Sequence, residues 1–138
     1  MRKCLYDMLN EISQLPTVKE RVEALQKDQY SNVFRTVFEY MLSPNIKWLL
    51  PEGDPPYKPS GFVDIEGRLL PELRKMYLFI EGGNPNLTPL RREVLFVQML
   101  ESIDPKDALL LLAMKSRKIP FKGLTKKIVQ QAFPDLVI

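Results

Sequence analysis

Apolar side chains recur every three or four positions through most of the chain, the spacing of one buried face on an α-helix. Leu5, Met8, Leu9 and Ile12 mark a first helix over about residues 3–14, which Pro16 ends. Thr17 precedes Glu20 by the three positions of a capping box. It opens a second helix to about Lys27, with Val18, Val22 and Leu25 on one face. Ser31 starts a third, carrying Val33, Phe34, Val37, Phe38, Met41 and Leu42, and Pro44 stops it. Residues 45–50 are expected to add one more turn.

The pattern then breaks. Residues 51–67 hold too many prolines and glycines for a helix or a central strand. They read either as a long ordered loop with a task of its own or as a linker. Helical spacing returns at Pro71, which fits the first turn of a helix to about Glu81, with Leu73, Met76, Tyr77 and Ile80 inward and Gly82-Gly83 as its stop. Thr88-Pro89 pairs an N-cap with a proline at the first helical position, opening a helix to about Ser102. Asp104-Pro105 repeats the device, and Asp107 sits at the positive end of that helix. Residues 109–112 are all leucine, so this helix is expected to be the most buried. A last helix spans about residues 124–132, before Pro134. No strand alternation and no internal repeat stands out. The expectation is an all-α fold of six or seven short helices, one domain over residues 1–138, with a single Pro-rich loop at 51–67.

Composition narrows the chemistry. The 138 residues, 45% of them hydrophobic, suffice for a core without metal or disulfide support. Histidine is absent, which removes the commonest general base and metal ligand. With Cys4 the lone cysteine, the usual zinc sites and the Ser-His-Asp and Cys-His arrangements are impossible. Glu52, Asp54, Asp64 and Glu66 share the Pro-rich loop, but their spacing forms no recognisable metal-nuclease motif. Neither a membrane span nor a signal peptide is evident, and a single thiol suits a reducing compartment. We therefore expect a cytoplasmic, non-catalytic binding protein with no cofactor, no metal and no small-molecule substrate.

The net charge of +3 conceals an asymmetry. Between Ala108 and Pro134 stand six basic residues and no acidic one: Lys115, Arg117, Lys118, Lys122, Lys126 and Lys127. The residues before them are nearly balanced. Three of the six close one helix and its turn, and the rest, with Gly123 and Thr125, open the next. Free N–H groups at a helix start attract phosphate. Lysines there oppose the helix dipole, so several together suggest an anionic partner. The alternative is a solvated surface whose first members complement the negative end of the preceding helix. Weaker candidates are Trp48 beside Lys47, as a stacking group or a core residue, and Arg91-Arg92, as a phosphate clamp or a solvated face. Tyr57 and Phe62 serve either as loop anchors for a partner or as pins to the core. Cys4 reads as a small packed side chain.

The order of these segments resembles a known family. Leu9-Asn10-Glu11-Ile12 with Leu15 is similar to the Leu-Asn-Glu-Ile-Ala start of the N-terminal DNA-binding domain of bacteriophage-type ATP-dependent DNA ligases. Residues 27–41, and Ile46-Lys47-Trp48 with a proline following, resemble its next segments. The closing stretch is closest in form: residues 109–118, then 121–129, then Ala132-Phe133-Pro134-Asp135-Leu136-Val137, like the ligase helix, Gly-containing turn, helix and aromatic-Pro-Gly-Leu-Ile. The resemblance implies an all-helical domain that grips duplex DNA on its minor-groove side through backbone contacts. It places Lys115, Arg117, Lys118, Lys122, Gly123, Thr125, Lys126 and Lys127 on the DNA-facing turn. The Lys-x-Asp-Gly adenylation motif is missing and the chain ends at Ile138, so the expectation is a stand-alone, virus-encoded relative without the catalytic core. Its expected partner is double-stranded DNA, held with little sequence choice. The alternative is an adaptor docking on a host or viral protein, with the Pro-rich loop as a pre-extended ligand.

Overall fold

The computed structural model describes residues 4–59 and 69–138. Among them it is all-helical. Seven α-helices follow in order: α1 Leu5–Ser13, α2 Val18–Lys27, α3 Ser31–Leu42, α4 Leu69–Glu72, α5 Pro89–Ser102, α6 Pro105–Ser116 and α7 Lys126–Ala132. A 3₁₀ helix, Leu73–Phe79, continues directly from α4. None of these helices is long and apolar enough to cross a membrane.

The caps read from the sequence form as side-chain hydrogen bonds. Thr17 Oγ1 accepts from Glu20 N at 3.2 Å, Thr88 Oγ1 from Arg91 N at 3.2 Å, and Asp104 Oδ1 from Lys106 N at 2.8 Å. Each satisfies an N–H that has no partner inside its own helix. Helix α1 has no such cap of its own, because Cys4 stands at the N-cap position. Asp107 of α6 supplies the acceptor instead: its Oδ1 takes the Tyr6 N–H at 2.9 Å. The carboxylate is fully buried, and Oδ2 has no hydrogen-bond partner among the described residues. Burial, with the charge of Asp104 adding to it, pushes the Asp107 carboxyl up to about 6.

Helix α6 is the hub. It packs on α1, α3 and α5, while α7 lies on α2. Ala108, Leu110, Leu111 and Met114 are sealed, yet Leu109 is 51% exposed. The all-apolar run is thus buried on three sides rather than all round, since neighbouring helices leave one strip of α6 facing water.

Two expected elements take another form. Residues 45–50 make no helical turn. Trp48 pairs instead with Ile80 in an isolated antiparallel bridge, with Leu49 N donating to Phe79 O and Glu81 N to Lys47 O, both at 2.8 Å. The helix expected over 71–81 is mostly 3₁₀. Its buried residues, Leu73, Met76 and Phe79, fall every third position, which aligns on a 3.0-residue turn. Tyr77, expected inward, is therefore 47% exposed. Gly82, at φ +85°, turns the chain out of this segment in a conformation glycine adopts freely.

Candidate nucleic-acid interface

The eight residues singled out by charge and resemblance occupy one continuous stretch, from the last turn of α6 to the first turn of α7. They divide into three groups by what each side chain or backbone does.

Lys115 and Arg117 hold the chain together. Arg117 N donates to Met114 O and Lys118 N to Ala113 O, both at 3.2 Å, which closes α6 with the two bonds of a Schellman motif. Arg117 takes the left-handed position of that motif, at φ 61°, where glycine is usual. Its guanidinium spans to the exit of α3, donating from Nη1 to Ile46 O at 2.9 Å and from Nη2 to Ser43 O. Lys115 Nζ donates to Gly53 O at 2.6 Å, fastening the Pro-rich segment to α6. Lys58 N donates to Glu101 Oε2 at 2.6 Å farther along, and the partly buried Tyr57 packs on the core. Residues 51–59 are thus a loop tied at both ends. Phe62, Asp64 and Glu66 lie outside the described residues, while Glu52 and Asp54 are exposed.

Gly123 and Thr125 set the backbone of the turn. A Cβ on Gly123 would stand 1.8 Å from Ser13 O at the end of α1, so no other residue fits without moving one segment. Phe121 is buried beside it, its ring 5.0 Å from that of Tyr6 and inclined at 57°. Leu124 N donates to Phe121 O at 3.1 Å, and Leu124 is buried. Thr125 is the N-cap of α7, accepting from Ile128 N at 3.3 Å. Ile128, Val129 and Ala132 seat α7, and Gln26 Nε2 of α2 donates to Ala132 O at 3.0 Å.

Lys118, Lys122, Lys126 and Lys127 are exposed, and their ammonium groups meet no carboxylate or acceptor among the described residues. Elsewhere surface cations do find partners: the exposed Lys106 reaches Asp7 at 3.0 Å and the half-buried Arg35 reaches Asp135 at 2.8 Å. Lys126 and Lys127 occupy the first two positions of α7, where the helix dipole is unfavourable to cations. Four unpaired positive charges therefore stand on a turn whose backbone is fixed by Phe121, Gly123, Leu124 and Thr125. Such an arrangement attracts an extended anion.

The pair Arg91-Arg92 separates. Arg91 is exposed, but Arg92 is buried, donating from Nε to Leu78 O at 3.0 Å and from Nη2 to Leu87 O at 3.1 Å. It closes the carbonyls of the 3₁₀ helix and the loop after it, and is neither a phosphate clamp nor a solvated side chain. Cys4 is buried as expected, and burial pushes its thiol up to about 12, which leaves it protonated and unreactive. Among the described residues no group of three or more Cys, Asp and Glu side chains is gathered to hold a metal.

Beside the lysine turn lies a feature that the sequence pattern missed. A cleft of about 850 Å³ runs between the end of α6 and the segment after α3, and Lys47, Trp48, Lys115, Arg117 and Lys118 line it. The aromatic-basic pair Lys47-Trp48 is visible in the sequence, but its placement against α6 depends on contacts spanning some seventy residues. A second, more apolar cleft of about 480 Å³ lies across the Pro-rich segment, lined by Pro51, Pro55 and Pro56 and by Val94, Phe96 and Val97 of α5.

No curated protein and no solved structure matches this chain. One family model does, over residues 8–120, which takes in most of α1 and all of α2 to α6, Lys115, Arg117, Lys118 and both clefts but stops short of Lys122 and α7. With most of its length matched, the chain belongs to DUF6433, a family of unknown function.

Proposed function

We propose that this chain is a non-catalytic module that holds double-stranded DNA by its phosphates, with little sequence preference. The observation that carries the reading is the set of four lysines, Lys118, Lys122, Lys126 and Lys127, unpaired among the described residues, on one pinned turn and the start of α7. Phosphate contacts give affinity and orientation without reading bases, and lysine serves them as a mobile point charge. A pinned backbone lowers the entropy lost when the lysines engage a ligand. The similarity of this stretch to the ligase DNA-binding domain supports the same partner, and a virus-encoded protein working in the host cytoplasm. Lys115 and Arg117 enter as scaffold, because their side chains are already committed to Gly53, Ser43 and Ile46. The test is a variant carrying Lys118→Glu, Lys122→Glu and Lys126→Glu, checked by circular dichroism for unchanged helicity. It should lose duplex binding at low salt by about 100-fold or more, as expected when several phosphate contacts turn repulsive. Unchanged affinity would refute the reading.

A second reading, an adaptor for a host or viral protein, draws on the apolar cleft across the Pro-rich segment. Val94, 39% exposed, lines it, and Leu90 on the same helix is 72% exposed. Exposed apolar surface of this kind marks interaction sites. On this reading Val94→Glu abolishes partner capture and leaves duplex affinity unchanged.

A further inference from the structure

The cleft between α6 and the segment after α3 offers what the lysine turn lacks, an aromatic surface. Trp48 lines it and is half-buried, its Nε1 donating to Tyr40 O at 2.9 Å and its ring set edge-on to that of Tyr40 at 6.3 Å. The backbone around it is fixed by the bridge to Ile80 and the two 2.8 Å hydrogen bonds that flank it. The indole is therefore positioned before any ligand arrives. Among the described residues that line it, Lys47, Lys115, Arg117 and Lys118 stand against one carboxylate, Glu52, so four positive charges less one negative leave a net of plus three. The volume, about 850 Å³, lies within the roughly 300–1,000 Å³ of ligand sites in general and is ample for a nucleotide. Lys118 belongs both to this cleft and to the lysine turn, so the two surfaces are continuous.

We propose that this cleft receives an unpaired nucleotide of a DNA strand whose duplex part lies on the lysine turn, the base stacking on Trp48 and the phosphate facing Lys47 and Lys118. The inference rests on the duplex-binding reading and extends it to a preference for duplex ends with a single-stranded extension. Cations alone would serve an acidic peptide equally well. The planar indole is what favours a base, since base–aromatic stacking adds substantially to single-strand affinity and tolerates any sequence.

Trp48 is the single tryptophan of the chain, so its fluorescence reports this cleft alone. The experiment compares a short blunt duplex with the same duplex carrying an overhang of about five thymidines. Affinity is read by anisotropy of a labelled strand and stacking by quenching of Trp48. The overhang should bind at least about fivefold tighter and quench Trp48, while the blunt duplex leaves the emission nearly unchanged. Lys47→Glu, on an exposed side chain, should remove most of that preference, and Trp48→Leu all of it. Equal affinities with an unquenched Trp48 would overturn the cleft proposal and leave the duplex reading standing. Failure of both duplexes to bind would overturn the two together. Quenching by hexaglutamate as strong as by the overhang would assign the cleft to an acidic peptide instead.

Discussion

Asp107 combines two demands that conflict. It must accept the Tyr6 N–H as the missing cap of α1, and it must do so fully buried. The ionised form is thus disfavoured in the folded chain, and its carboxyl is raised from 3.8 to about 6. Folding then takes up a proton between these values, so this group costs stability above pH 6 and the cost fades as pH falls toward 4. Lowering pH from about 7.5 to about 5 should add roughly 1.4 kcal/mol to unfolding free energy through Asp107. Asp107→Asn, which keeps an acceptor for Tyr6, should flatten that part of the profile in urea titrations. An unaltered profile would show that another group sets it. Asp135, held below its usual range by Arg35, acts in the opposite sense and only at lower pH. Gly123→Ala forces a methyl onto the Ser13 carbonyl and should destabilise by about 1–3 kcal/mol. Lys122→Ala next to it should change thermal stability by less than about 0.5 kcal/mol. The sequence shows Asp107 at a helix start and Gly123 in a turn. It does not show that each answers to α1, because the partner backbone lies about a hundred residues away.

At the level of elements, capping residues and prolines locate α1, α2, α3, α5 and α6 to within a few residues, since those signals are local. Two elements were not legible for physical reasons. Apolar residues at 73, 76, 77 and 80 satisfy a 3.6-residue period, and only packing selects the tighter 3₁₀ turn that buries Leu73, Met76 and Phe79. The Trp48–Ile80 bridge joins segments too short to show alternation. The close of α6 carries a testable balance of terms. Arg117 in the left-handed conformation costs about 1–2 kcal/mol relative to glycine. Its guanidinium bonds to Ser43 and Ile46 offset this, at about 1.5–3 kcal/mol for bonds to a charged donor. Arg117→Ala keeps the strain and loses the bonds, whereas Arg117→Gly loses both. Denaturant unfolding should therefore rank Arg117→Ala as the less stable of the two by roughly 1 kcal/mol. The reverse order would mean that the arginine conformation is unstrained.

Across the whole molecule, the charge asymmetry seen along the chain becomes a division of labour in space. Of six basic residues between Ala108 and Pro134, two are spent on holding α6 to the Pro-rich segment and to the exit of α3. The other four, from Lys118 to the first turn of α7, meet no acceptor among the described residues. Counting residues along the sequence treats all six alike, because charge is legible there and hydrogen-bond commitments are not. The difference has a measurable consequence for the proposed function. Six engaged cations would give a slope of log K on log salt near −5, and four a slope of about −3 to −4. A titration of the wild-type chain with a blunt DNA duplex across a range of salt concentrations measures this slope. Four engaged lysines should give salt-sensitive binding with that shallower slope, weakening about 100-fold between roughly 50 and 200 mM salt. Absence of binding at low salt, or binding indifferent to salt, would contradict it.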